Sequence, residues 1–335
     1  MNRLLHVISH TDLDGVTAAA VAWHAHFPER SPLKVTLTGY GEVDALILET
    51  MKADQDLLVL DLFCQRRETV DEMDRFYEGS PEPVLFDHHK TTAEVFSNRK
   101  WAVVDVAHCA AKVYYLWLLE KTPDGPVRDR LLGLERLVEI ANDRDLWLGQ
   151  YEESRFWQAL ITLCGPWSVL ARLTADASSV LSGSELALAR EFITRQEERF
   201  RRALEQVERL GDDLALVPSG ILDFGDASDF CGLILDRSEN PPEMVAVCSR
   251  RVYGDWAVSL RSRNGLAARI VGLLKDGRKV RGGGHGDAAA LYFPAHFNQN
   301  QIRDTLISGI RTARDQERPV GLTLGDLLKA KMEGK

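Results

Sequence analysis

Along the first part of the chain, short apolar runs alternate with amphipathic stretches. Residues 4–8 (LLHVI), 34–38, 57–60 (LLVL), 84–86 (VLF) and 103–104 read as buried strands, and residues 16–26, 67–77 and 110–120 as helices between them. Alternation of this kind predicts a mainly parallel α/β sheet flanked by helices. Ligands of such sheets bind beyond the carboxyl ends of the strands, where several of these runs end in acidic or histidine residues. Residues 131–141 predict a helix running into Asn142-Asp143-Arg144-Asp145, and residues 151–181 are mainly helical in pattern.

Residues 185–210 are highly charged with both signs interleaved, which suits a long solvated connecting helix rather than a membrane-surface one. Strand-like runs return at 214–217, 244–248, 256–260 and 288–293, with helices expected at 229–235 and 266–274. The expected organisation is a first α/β domain over residues 1–184, a linker helix over 185–212, a smaller α/β domain over 213–315 and a peripheral tail over 316–335. At roughly 150 residues per domain, a length of 335 agrees with two cores.

Composition narrows the function classes. The chain is 45% hydrophobic and 27% charged, which excludes global disorder, collagen and a small disulfide scaffold. Its 41 Lys and Arg against 50 Asp and Glu leave a net charge of −9. That balance opposes indiscriminate binding of long duplex nucleic acid, which depends on cationic side chains neutralising phosphates. It leaves room for a short phosphorylated substrate. Cys64, Cys109, Cys164, Cys231 and Cys248 form no CxxC pair, so a disulfide framework and a zinc knuckle are not indicated and a cytoplasmic setting is expected. No apolar run is long enough for a membrane span or, at the N-terminus, for a signal peptide.

The candidate chemistry lies in four clusters: His10-Thr11-Asp12-Leu13-Asp14-Gly15 after the first strand, Asp61 after LLVL, Asp87-His88-His89 after VLF, and Asp143 with Asp145 nearby. Taken singly each has a bland explanation: Asp-Gly turns, a helix N-cap at Asp61, a surface His pair. Together, at one sheet edge, they crowd carboxylates in a way that requires positive charge. Carboxylates mixed with imidazole suit Mn²⁺, Mg²⁺, Fe²⁺ or Zn²⁺, and there are ligands enough for two ions bridged by one carboxylate. Such a pair clamps an in-line displacement at phosphorus, with a shared water of lowered pKa as nucleophile. Farther along, Arg261-Ser262-Arg263 offers guanidinium groups for a phosphate, and Arg281-Gly282-Gly283-Gly284-His285 reads as a Gly-rich loop that brings backbone N–H groups close to an anion, or simply as a turn.

HTDLDG, the lone Asp61, DHH, the later Asp143 and the distal SLRS and GGGH resemble, in that order, the DHH phosphoesterase superfamily with its GGGH-bearing second domain, most closely the oligoribonuclease (nanoRNase) and cyclic-nucleotide phosphodiesterase branch. The resemblance covers most of the chain. It implies an active site between two domains, with two divalent cations, manganese first and magnesium, iron or cobalt as alternatives. His10, Asp12 and Asp61 would hold one ion; Asp14, Asp61, His88 and Asp143 the other. His89 would touch the scissile phosphate, with Asp87 orienting a neighbouring histidine. Arg261, Ser262 and Gly282, Gly283, Gly284 and His285 would hold the substrate's other end. Relatives place the first histidine four residues before the first Asp, where this chain has Ile8, so His10 occupies a different spacing; Asp145 competes with Asp143. The activity implied is hydrolysis of short oligonucleotides to mononucleotides by a monomer or homodimer. The alternatives are a cyclic mono- or dinucleotide phosphodiesterase, a 3′,5′-bisphosphonucleoside phosphatase, or a non-catalytic nucleotide sensor.

Overall fold

A computed structural model describes residues 3–29, 32–275 and 280–317. The tail expected over 316–335 lies outside the described residues from 318 onward. The chain divides into two compact units, Met1–Thr194 and Arg195–Lys335.

In the first unit β1 (Leu5–His10), α1 (Leu13–His26), β2 (Leu33–Thr38), α2 (Val43–Lys52), β3 (Asp56–Leu60), α3 (Arg67–Tyr77), β4 (Leu85–Asp87), α4 (Lys90–Phe96) and β5 (Ala102–Val104) follow one another. The strands form one parallel sheet in the order β2-β1-β3-β4-β5. Successive strand residues face opposite sides, so β1 sends Val7 into a core shared with α1 and Ile8 into a second core shared with α2 and α3. Both faces are therefore covered, as a parallel sheet requires. The helix α1 is apolar almost all round: Ala18, Ala19, Ala20 and Ala22 are fully buried. Such a helix belongs inside, and it is packed among α5 (Ala110–Lys121), α6 (Pro126–Leu132), α7 (Glu135–Asp145) and, after α8 (Glu153–Cys164), α9 (Pro166–Ala175). The single helix expected over 131–141 is thus two, broken around Gly133, and the second runs through Asp143 and Asp145 instead of stopping before them.

The long helix α10 (Gly183–Leu204) ends earlier than expected, and Glu208–Leu210 is a strand, β6, instead of its last turn. The C-terminal half of α10 is more than a solvated connector. Arg199 Nε donates to Asp226 Oδ2 at 2.7 Å and Gln196 Nε2 to Asp226 Oδ1 at 3.0 Å, on a carboxylate only 1% exposed. The second unit continues with β7 (Leu214–Val217), α11 (Ala227–Arg237), β8 (Met244–Arg250), β9 (Trp256–Ser262), α12 (Leu266–Lys275), β10 (Arg281–His285), β11 (Ala288–Phe293) and α13 (Gln299–Glu317). Its sheet runs β10-β11-β9-β8-β7-β6, antiparallel except for the β7–β8 pair. One face packs Val258, Leu260 and Leu291 against Ile270 of α12 and Ile302 and Leu306 of α13; the other packs Val245 and Val247 against Phe230 and Ile234 of α11. Among the described residues no helix is long and apolar enough to cross a membrane.

Two buried features of β1 carry measurable consequences. Gly15, in the first turn of α1, is pressed against the end of β1: a Cβ there would stand 2.5 Å from the His10 carbonyl oxygen. Ser9 Oγ also donates to the Gly15 carbonyl at 2.6 Å. His6 is buried between Thr50 and Thr36, at 2.7 and 2.8 Å. Because the Thr50 hydroxyl already donates to the Leu46 carbonyl, it accepts from Nδ1–H, and Nε2 accepts from Thr36. Burial, reinforced by Lys34, lowers the imidazole to about 4, so it stays neutral.

Gly15→Ala is expected to cost about 1–3 kcal/mol, the usual range for overpacking, read as a lower urea midpoint; an unchanged midpoint would show that the helix end can shift freely. For His6 the folded group binds its proton more weakly than the unfolded one. Stability should therefore be constant above the ordinary value of 6.5 and fall as pH drops from 6.5 toward 4. Urea titrations of wild type and His6→Gln across this window should diverge only there; parallel curves would refute the assignment.

Candidate metal centre

The sheet order places β1 between β2 and β3, so the chain crosses to opposite sides of β1 at the point where ligands of doubly wound sheets collect. The segments leaving β1, β3 and β4 at this edge carry His10 with Asp12, Asp61, and Asp87-His88-His89. Asp12 is the N-cap of α1: its Oδ1 accepts from Gly15 N at 3.0 Å while Oδ2 faces His10 Nδ1 at 2.8 Å. Asp61 has a left-handed backbone, φ 56°, uncommon for a residue other than glycine and a small local strain. Its carboxylate points two ways. Oδ2 lies 3.5 Å from His10 Nδ1, and Oδ1 lies 3.5 Å from His88 Nε2. His88 Nε2 is in turn 3.4 Å from Asp145 Oδ2 and 3.8 Å from Asp14 Oδ2.

Three groups result: His10, Asp12 and Asp61; Asp14, His88 and Asp145; and Asp61, Asp87, His88 and His89, so that Asp61 belongs to two of them and lies 3.5 Å from the His88 of the other. Asp143, expected in the second group, is elsewhere. Its Oδ1 accepts from Gln150 N at 2.6 Å, closing the turn after α7, whereas Asp145, two residues on in the last helical turn, faces His88. The helix running past both residues is the physical reason, since side chains two apart on a helix point in different directions. Asp14 also anchors the fold: its two oxygens accept from the amides of Ala110 and Ala111, at 2.8 and 2.7 Å, which open α5.

Asp87 is fully buried, and its Oδ1 accepts from His88 N at 2.8 Å and from His89 Nδ1 at 2.7 Å. That bond holds the His89 ring and leaves Nε2 facing outward from Asp87. Burial opposes a charge on His89, and Asp87 overrides it, raising the group above its ordinary value. The sequence reading passed over Tyr40, whose hydroxyl lies 3.3 Å from His89 Nε2 and whose ring is 5.8 Å from that of His10. Burial, with Asp87 and Asp61 adding, keeps its hydroxyl protonated. The one sequence signal for it is an aromatic between two glycines, Gly39 and Gly41, just past β2 at the same edge.

The electrostatics test whether cations fit. Burial and mutual repulsion raise Asp14 and Asp61 well above the carboxylate range, and burial also raises Asp145. His10 is driven the other way: burial opposes its charge, but Asp12 and Asp61 raise it to about 11. Negative charge is in excess. Asp61 Oδ2 and Asp145 Oδ2 are buried with no hydrogen-bond donor aligned on them. Buried carboxylate oxygens with an uncompensated charge, alternating with imidazole nitrogens, fit two divalent cations of the Mn²⁺ or Mg²⁺ kind.

The residues expected to hold the substrate belong to the second unit. The glycine run is not a loop but strand β10, because these glycines let it pack closely. A Cβ on Gly282 would meet Leu291 and Val271 within 2.9 Å, and one on Gly284 would meet Ala289 at 2.3 Å. Only Gly283 of the three has open space on its side. The Ser262 hydroxyl is consumed structurally, donating to Asp287 Oδ1 at 2.9 Å and accepting from Ala267 N at 3.0 Å. Arg261 is half-buried and donates to Ser228 Oγ at 2.8 Å. The side chain of His285 lies outside the described residues.

Fold and site together define a doubly wound α/β unit that gathers carboxylates and histidines able to hold metal ions at its switch point, followed by a smaller mixed-sheet unit. Solved structures with this fold include exonuclease RecJ bound to manganese (TM-score 0.60, 17% identity, 95% of this chain and 91% of that one) and Thermus thermophilus RecJ with Mn²⁺ (0.56, 16%, 92% and 52%). This chain thus spans about half the length of the Thermus protein. The pGpG-specific phosphodiesterase PggH of Vibrio cholerae is also similar (0.50, 12%, 92% and 99%). The fold is therefore shared with these proteins. No family model and no curated protein matches the sequence.

Asp145→Asn is expected to weaken Mn²⁺ binding at least about tenfold by isothermal titration, whereas Asp143→Asn, which keeps an acceptor for Gln150 N–H, should change it by less than about twofold. The reverse ranking would return Asp143 to the centre.

Proposed function

We propose that this chain is a divalent-metal-dependent phosphodiesterase that hydrolyses short oligonucleotides to mononucleotides in the cytoplasm. The observation that carries the reading is Asp61, which offers one carboxylate oxygen to each of two ligand groups. The likeness in fold to an exonuclease and a dinucleotide-specific phosphodiesterase supports it.

In this reading His10, Asp12 and Asp61 hold one cation, and Asp14, Asp61, His88 and Asp145 the other. When bound, the two cations supply positive charge at the phosphate and a water acidic enough to attack phosphorus at neutral pH. His89, held by Asp87, which favours its protonated form, presents an Nε2–H that donates to a non-bridging phosphate oxygen, stabilising charge that grows during attack. The protonated Tyr40 hydroxyl beside it limits where the ring can turn. In the second unit, Arg261 and the open side of Gly283 offer a place for a substrate phosphate; Ser262 serves by fixing the turn into α12.

The test is kcat/KM with Mn²⁺ for a linear dinucleotide, a pentanucleotide, a cyclic dinucleotide and a 3′,5′-bisphosphonucleoside. The two linear substrates should be cleaved at least about 100-fold better than the others, with activity lost in EDTA and in Asp61→Ala. Preference for the cyclic or bisphosphate substrate would replace this reading by that alternative, and turnover of none of them would leave nucleotide sensing.

A further inference from the structure

Beyond Arg261, the second sheet has an open face. Antiparallel register sets Arg281 opposite Tyr292, Tyr292 opposite Ala257 and Ala257 opposite Ser249, so these side chains share one side. Leu291, Phe293, Trp256 and Val258, one residue out of step, are buried against α12 and α13 on the other side. The α11 helix covers this first side over β7 and β8 and reaches β9 at Arg261, which donates to its Ser228. Over β9, β11 and β10 the floor is of small residues: Ser259 opposite Ala290, which is opposite Gly283, whose side is empty. Along β11 this strip runs from Ala288, opposite Arg261, to Tyr292, four residues and about 13 Å at the usual rise.

Its far end is built differently from its floor. The β8–β9 hairpin closes with Arg251 N donating to Asp255 O and Gly254 N donating to Arg251 O, both at 2.8 Å, with Gly254 at φ +84°. This tight three-residue loop, with glycine supplying the left-handed turn, holds Tyr253 90% exposed and leaves Tyr292 36% exposed. The Arg251 guanidinium lies 5.7 Å from the centre of the Tyr292 ring. Arg251 also pairs with Asp255 at 3.0 Å, an exposed ion pair of the weak kind.

Exposed aromatics interleaved with guanidinium groups along a floor that lets a chain lie close suit a ligand with alternating anionic groups and flat faces. Single-stranded nucleic acid has both, whereas a duplex hides its base faces by stacking and an acidic peptide offers charge without them. We propose that this face is a track for single-stranded oligonucleotide, on which nucleotides beyond the one held at Arg261 stack on Tyr292 and Tyr253 with their phosphates against Arg251 and Arg281. The inference deepens the phosphodiesterase reading and rests on it for the substrate class: it makes three or more nucleotides the preferred length.

The track is tested apart from catalysis by fluorescence anisotropy of a labelled pentanucleotide with the full chain in EDTA. Tyr292→Ala and Tyr253→Ala should each weaken binding at least about fivefold, Tyr292→Phe should not, and a duplex of equal length should compete poorly. With Mn²⁺, dinucleotide kcat/KM should stay within about twofold in both alanine variants while the pentanucleotide value falls. Because Tyr253 is nearly free of the fold, its variant separates stacking from misfolding. No binding of the pentanucleotide by wild type, unchanged affinity in both variants, or equal competition by duplex would overturn the track. Binding that depends on the tyrosines without turnover of any substrate would overturn the phosphodiesterase reading and leave the track standing.

Discussion

Asp61 is one carboxylate, almost wholly buried, serving two groups of polar side chains. The turns and helix ends around it are what make that arrangement tolerable. Burial alone pushes Asp61 toward its neutral form, and Asp12 pushes it farther. Only concentrated positive charge on both sides keeps such a group ionised. The parallel sheet supplies the place, since the ends of β1 and β3 are neighbours where the winding reverses. At the left-handed turn after β3, Asp61 faces His10 with one oxygen and His88 with the other.

The surrounding carboxylates each do two jobs. Asp12 caps α1 with one oxygen and faces His10 with the other. Asp14 accepts the first amides of α5 and still reaches toward His88. Asp87 fixes His89 through Oδ1 and still lies beside Asp61 and His88, its Oδ2 buried without an aligned donor. Helix N-termini thereby hold part of the negative charge in position without neutralising it, so the geometry of the centre is coupled to the packing of α1 and α5. The close approach of Gly15 to His10 belongs to the same design: it brings the α1 cap to the end of the strand.

The second unit builds the edge of its sheet from small side chains. Its glycines and alanines let β10 and β11 pack tightly while one side of the sheet remains low and open. Ser262 and Arg261, adjacent in sequence, illustrate the division. The first points into the turn that starts α12, and the second lies on the opposite side of β9.

The strand–helix alternation, the two-unit plan and the edge at which chemistry gathers were legible in the sequence, because period, apolar runs and strand-end acids are local properties. So were His10, Asp12, Asp61 and the DHH run as members of one cluster. The end of α10 was not, because Glu208, Arg209 and Leu210 are good helix formers and only pairing with β7 draws them into a sheet edge. Nor was the strand nature of the glycine run, since only cross-strand neighbours turn a flexible segment into an ordered one. The choice between Asp143 and Asp145 depended on where α7 stops and thus on which side of the helix faces His88. Tyr40 came into view only when the loop after β2 met the histidines. The sequence by itself determined which carboxylates and imidazoles this protein brings to that edge and the order in which they occur. Tertiary structure alone decided which oxygen meets which nitrogen, because those few ångströms are set by helix ends and strand neighbours far apart along the chain.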